Sequence, residues 1–314
     1  MRRPRILMTI AVMTLAFPAA VVWAGCGGSN VPTGQGRPVI VATTPVLGSV
    51  VEDVVGRVAE VQVLMPNGAD PHEWRPSARD AAALDHADLI VQNGLGLEAG
   101  VTAAIDQARA DGVPVFTATD HVGIRRVGAG EGGGSSDPDR QAGAEDPHFW
   151  TDPIAMRRVV RALPASIATA TGADVRAGAT DVAARLAGVD ARVRRTLATV
   201  PPGQRDLITG HESLGYFADW YGLRLIGAVT PSLSTGAETS ASHVADLAGA
   251  ARAHRACVVF GELGTAAAVT EAVASEAGAR VVELSTHALP DAGGYDAFIT
   301  GIATAIATGL RGCR

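Results

Sequence analysis

After Cys26 this 314-residue chain has no run long and apolar enough to cross a bilayer, which excludes a multispan membrane protein. Cysteine is scarce. Beyond Cys26 only Cys257 and Cys313 remain, enough for one disulfide at most. An excess of positive charge is missing too: the formal net charge is -6, and a chain of that sign is repelled by phosphate, which argues against nucleic-acid binding. There is no HExxH helix and no block pairing a nucleophile with a base, so the usual signs of a metal-dependent hydrolase are absent. With 47% apolar and 18% charged residues, the composition is that of a globular protein.

What is present begins at the N-terminus. Arg2, Arg3 and Arg5 precede the apolar run Ile6 to Trp23, which ends in Ala24-Gly25-Cys26. A charged start, an apolar middle and small residues before a cleavage point describe a signal peptide over residues 1–25. The Ala-Gly-Cys ending resembles a bacterial lipobox, which implies cleavage before Cys26 and a diacylglycerol on its sulfur. A permanent N-terminal membrane anchor is the alternative, because the run approaches the ~20 residues that a span needs. Either way the remainder is exported. Cleavage removes three arginines and no acids, so the charge of the mature chain falls from -6 to -9. Residues 26–37 then read as a flexible tether, mostly small and polar from Gly27 on.

Two readings of Cys257 and Cys313 fit the sequence equally. They pair in the oxidising compartment, or one is buried and the other sits in a frayed tail.

Apolar β-like segments fall at Pro38 to Pro45, Glu60 to Pro66, Asp88 to Gly94 and Pro114 to Thr119, separated by helical patterns at Val46 to Val55, Ser77 to His86 and Gly96 to Ala110. The same plan returns at Asp206 to Gly210, Arg224 to Val229, Ala256 to Glu262 and Ala279 to Ser285, with helices at Ser242 to His254 and Ala266 to Ala277. Strands alternating with helices of this length predict an α/β protein of two lobes, 38–172 and 201–314, each with a parallel four-stranded sheet flanked by helices. Between them, residues 173–200 show no strand signal. Val182, Leu186, Val189, Val193 and Leu197 recur at near-helical spacing and the run stops at Pro201-Pro202. One helix of ~24 residues would span ~36 Å and hold the lobes apart. Gly178 and Gly188 weaken it.

Four histidines, His72, His148, His211 and His287, each follow a strand-like run or a Pro-led turn. In an open α/β fold, loops at strand ends bring such residues to one site. Three or four neutral imidazoles suit a tetrahedral zinc ion, whereas oxygen-rich sites favour harder ions such as manganese. His86, His121, His243 and His254 have no such context and read as structural or solvated. The Gly-rich segment Gly128 to Gln141 precedes Asp146-Pro147-His148 and reads as a mobile loop bordering the site, with Glu131, Asp137 and Asp139 its only candidate metal contacts.

The segment Val61 to Glu98, with DPHFWTDP at Asp146 to Pro153, ITGHESLGYFADWYGL at Ile208 to Leu223 and VVFGELG at Val258 to Gly264, resembles in order and spacing the zinc/manganese-type solute-binding proteins of ABC transporters, the cluster with a rigid linking helix. The resemblance covers nearly all of the chain after the tether. It implies no enzyme, but a monomeric extracytoplasmic carrier, lipid-anchored to the outer face of the cell membrane or periplasmic. Such a carrier hands a divalent metal, Zn2+ before Mn2+, to an ABC transporter membrane permease. Carried over by motif, the ligands fall on His72, His148 and His211. In the fourth block the family often shows a Thr-Asp-Ser-like stretch where this chain reads Thr286-His287-Ala288. His287 takes the fourth position, with Asp291 or a water as fallback.

Glu73 and Glu212 each follow a ligand and are candidates for orienting the imidazoles through the second ring nitrogen. Trp74, Phe149, Trp150 and Tyr216 are candidates for walling the site. Imidazole coordination predicts an affinity that falls steeply below about pH 6, near the ordinary His pKa of ~6.5.

Overall fold

Ile40, Val41 and Ala42 are wholly buried because β1 (Val39–Ala42) lies inside a parallel sheet, β2 (Glu60–Val63) on one side and β3 (Leu89–Gln92) on the other, with β4 (Val115–Thr117) beyond β3. The computed structural model describes residues 36–128 and 143–313. The signal segment, Cys26, the tether up to Gln35, and residues 129–142 of the Gly-rich segment with Glu131, Asp137 and Asp139 lie outside the described residues. Among the described residues, no helix is long and apolar enough to cross a membrane.

Three helices belong to this first sheet. In α1 (Pro45–Val55), Thr44 caps the N-terminus by accepting from the Leu47 amide, and Pro45 holds the first turn. A capping box of Ser77 and Asp80 starts α2 (Ala78–Asp85). The third is α3 (Thr102–Ala110).

The second lobe departs from the expected four-stranded sheet. Its strands form two parallel pairs, β5 (Asp206–Thr209) with β6 (Arg224–Ala228) and β7 (Val258–Glu262) with β8 (Arg280–Leu284). β5 lies against β7, but the two share no ladder among the described residues. A register shift between Leu207 and Ile208 distorts β5, and just past its end the Gly210 amide donates to the Glu262 carboxylate at 3.0 Å. At this junction a side chain stands where a backbone acceptor would continue the sheet. The helices of this lobe are α6 (Gly215–Tyr221), α7 (Ala241–Ala253), α8 (Ala267–Ala277) and α9 (Gly294–Arg311).

Two helices join the lobes. α4 (Pro153–Thr171) is capped by Asp152, which accepts from the Ile154 amide, and ends at Gly172. α5 (Arg176–Leu197) has 22 residues, about 33 Å, and buries the stripe Val182, Leu186, Val189, Val193 and Leu197. It does not stand alone as a strut. It packs on α4, on α1 of the first lobe and on α9 of the second, and one continuous apolar cluster runs through all of them. Gly178 makes part of this possible: a Cβ there would lie 2.2 Å from the Val54 carbonyl oxygen. Arg185 of α5 pairs with Asp53 of α1 and, at 3.2 Å, with Asp296 of α9. Cys257 and Cys313 are disulfide-bonded, Cα atoms 5.5 Å apart, tying the end of α9 to the start of β7.

Candidate metal centre

The four histidines sit on four connections beyond the strands. His72 lies between β2 and α2, and His148 between β4 and α4. His211 follows β5 after one glycine, and His287 follows β8 after Ser285 and Thr286. The structure brings them together: one ring nitrogen from each lies within 4.8 Å of the other three. His72 Nε2 and His148 Nε2 are 3.3 Å apart, and the His211 and His287 rings stack with centroids 5.1 Å apart. A tetrahedral ion with ~2.0–2.1 Å bonds needs ligand atoms about 3.3–3.4 Å from one another, a spacing the His72–His148 pair already has. His148, His211 and His287 are buried and His72 is partly exposed.

The cluster bears the marks of a cation site. Both ring nitrogens of His211, and Nε2 of His287, are buried without a hydrogen-bond partner. Such atoms are costly unless something not made of protein satisfies them. Burial holds the imidazoles of His72, His148 and His287 well below their ordinary pKa, and the neighbouring rings push the same way. For these three rings the shift favours the neutral form, the one that offers a lone pair.

Two buried carboxylates face these rings. Asp146 Oδ1 lies 2.9 Å from His148 Nδ1 and accepts the His148 backbone amide at 2.9 Å, leaving Nε2 turned toward the cluster. Burial raises the Asp146 carboxyl to about 7, against the pull of the His148 amide and Arg125. Glu262 Oε2 lies 3.2 Å from His211 Nδ1, outside hydrogen-bond alignment. Burial pushes the Glu262 carboxyl up, but His211 and hydrogen bonds from Ser213 and Thr286 outweigh it, and its pKa falls below the ordinary value. Farther back, buried Glu98 accepts from Thr43 Oγ1 at 2.6 Å and the Asn93 amide at 2.7 Å, while the Asn93 side chain donates to the Pro147 carbonyl. This chain braces the turn that carries His148.

Asp146 and Glu262, which sequence analysis did not single out, are the carboxylates that face these rings. Glu73 is exposed, its carboxylate beside Gly236. Glu212 is partly buried and donates its backbone amide to the Ser232 carbonyl. Asp291 is exposed and outside the four-residue group. Of the four aromatics, Trp150 packs on the rings of His148 and His287, at 5.1 and 5.6 Å between centroids. Trp74 packs in a separate first-lobe cluster, Phe149 lies in the main core, and the Tyr216 hydroxyl accepts the Arg125 amide. One signal for Asp146 was in plain view: Asp-Pro-His occurs twice, at 70–72 and 146–148, and both aspartates bond the amide of their own histidine. Glu262 lies in the VVFGELG block, but its link to His211 is tertiary and has no local signature.

The remaining histidines are elsewhere. His121 stacks on Phe116, His243 bonds the Ala228 carbonyl, His254 caps α7 beside Asp206, and His86 caps α2.

Comparison with known proteins agrees with this geometry. Residues 40–309 match the family described as ZnuA, zinc-uptake complex component A, periplasmic. The zinc-binding protein TroA of Treponema pallidum is 28% identical over 287 residues, 88% of this chain and 89% of that protein. The manganese-binding lipoprotein MntA of Halalkalibacterium halodurans is 26% identical over 230 residues, 71% of this chain and 70% of that protein. The solved structure of periplasmic TroA superposes with a TM-score of 0.75 at 25% identity, covering 88% of this chain and 99% of that one.

Proposed function

We propose, from the premise that this chain belongs to the ZnuA family of zinc-uptake components, that it binds a zinc ion outside the cytoplasm and delivers it for import by an ABC transporter. The observation that carries the reading is the convergence of four imidazoles, two from each lobe, with Nε2 of His211 and of His287 buried and without a hydrogen-bond partner. All four donors are nitrogen, which favours zinc over manganese, the ion named for some relatives. Four donors also complete a tetrahedral shell, whereas a hydrolytic zinc keeps one position for water. The protein is a carrier and the ion its cargo.

The finer reading is capture, closure and delivery. His72 and His148 from residues 38–172, with His211 and His287 from residues 201–314, take the ion across the cleft. The residues 173–200 around α5 keep the two lobes in register. The closed form docks on the membrane permease as a monomer. Cys26, after removal of residues 1–25, carries the lipid that anchors the chain to the outer face of the membrane, with residues 26–37 as its tether. The Ala-Gly-Cys ending and the lipoprotein names among relatives support the anchor.

Metal analysis of protein purified without chelator, paired with zinc and manganese titrations of the wild type and His287→Ala, tests the reading. Zinc bound at one equivalent, preferred over manganese and weakened by the substitution, is expected. Manganese preference, or an unchanged His287→Ala affinity, would overturn the ligand set.

A further inference from the structure

Asp70 and Asp146 do more than shape the turns of His72 and His148, because each spends its second carboxylate oxygen on a connection to the other lobe. Asp70 Oδ1 accepts the His72 amide at 3.0 Å, while Oδ2 accepts the hydroxyl of Thr235, from the segment between β6 and α7, at 2.6 Å. The same oxygen abuts Gly264, just past β7: a Cβ there would come within 2.3 Å of it, so the second lobe offers a socket shaped for this carboxylate. Asp146 repeats the plan with one intermediary. Its Oδ1 serves His148 and its Oδ2 meets Arg125 at 3.4 Å; Arg125 in turn donates Nε to Asp219 of α6 at 2.8 Å and its backbone amide to Tyr216 of α6 at 2.8 Å.

We infer that Thr235 and Asp219 are positioning residues that couple lobe closure to retention of the metal. This rests on the zinc-carrier reading. With the lobes in this arrangement, Thr235 fixes the carboxylate that fixes the His72 turn, and Asp219 does the same for the His148 turn through Arg125. Once the lobes part, Asp70 loses Thr235 and Arg125 loses Asp219 and Tyr216, while each aspartate keeps its bond to its own histidine turn. The ligand turns then lose their outside brace and the ion is released faster. Neither Thr235 nor Asp219 belongs to the histidine cluster, so each acts on the rate of escape and leaves the donor set unchanged.

The test is zinc release from loaded, full-length protein into excess chelator by stopped flow, with zinc association measured separately. Thr235→Val is expected to raise the dissociation rate about tenfold, the scale of one lost hydrogen bond to a charged group, with association within about twofold of wild type. Thr235→Ser, which keeps the hydroxyl, should restore the wild-type rate. Asp219 is exposed enough that Asp219→Asn should fold normally, and it is expected to raise the dissociation rate at low salt with the difference shrinking near 1 M, where exposed charges are screened. If Thr235→Val and Thr235→Ser release zinc alike, or if Asp219→Asn matches wild type at low salt, the coupling is wrong. A wild type that binds no zinc would instead overturn the carrier reading itself.

Discussion

The two lobes contribute two histidines each, but they hold them by different means. In the first lobe, His72 and His148 ride on separate Asp-Pro-His turns, each with its own carboxylate. In the second, one carboxylate does the work for both: Glu262 accepts from the Gly210 amide, Ser213 and Thr286 and lies beside His211, while Thr286 Oγ1 contacts His287 Nδ1 at 3.2 Å. The first lobe has a four-stranded ladder, whereas the second has two strand pairs and a disulfide. Loss of one support should therefore cost the first half less than loss of the hub costs the second.

The covalent tie gives the largest expected contrast. Closing a loop of 56 residues, the Cys257–Cys313 bond restrains the unfolded chain by about 4 kcal/mol in the chain-entropy account. The double variant Cys257→Ser with Cys313→Ser should lose stability on that scale in denaturant titration and still bind zinc; an unchanged midpoint would show that the second lobe does not need the tie. Next come the four histidines. His211→Ala should lose more than the ~100-fold in zinc affinity that bounds losses from outer groups. A variant within tenfold of wild type in a chelator competition would remove His211 from the donor set.

The hub is tested directly by Glu262→Gln against Asp146→Asn. Both should weaken zinc within the ~10- to 100-fold range for outer groups, and the Glu262 change should cost more because three donors and a ring depend on it. Equal losses would erase the difference drawn between the lobes.

The smallest effect is on pH. Burial lowers the imidazole pKa of His72, His148 and His287, whereas unfolded imidazoles titrate near ~6.5. The unfolded chain therefore takes up protons first. The contribution of these rings to stability is complete above about pH 6.5 and is lost as pH falls from there toward the folded values. At these three rings zinc should compete with protons only at those lower values. The fall in affinity should begin below the pH of about 6 expected from unperturbed histidines, and a competition titration at pH 7.5, 6.5 and 5.5 should find the first two close. A steep loss between 7.5 and 6.5 would mean the rings are not shielded.

Much of this was legible because it is local. The strand cores and the apolar stripe of α5 follow from periodicity, and the histidines stand out because turn residues precede them. What escaped depends on distant partners. Helix α9 went unassigned although Phe298, Ile299, Ile302, Ile306 and Leu310 carry a helical stripe, since glycines at 294, 301 and 309 dilute it. Gly309 is explained only by the Phe260 ring it faces. The split second sheet and the partnership of Glu262 with His211 join residues about fifty positions apart, and nothing near either one announces it.

The placement of α9 also limits how the gene could be rearranged. The last helix belongs by sequence to one half, yet it lies on α5 and α1, and Tyr295 donates its hydroxyl to the Trp150 carbonyl. A hybrid spliced after residue 200 with the tail of a relative would have to match that buried seam as well as the four-histidine cluster, so the halves are poor modules for exchange.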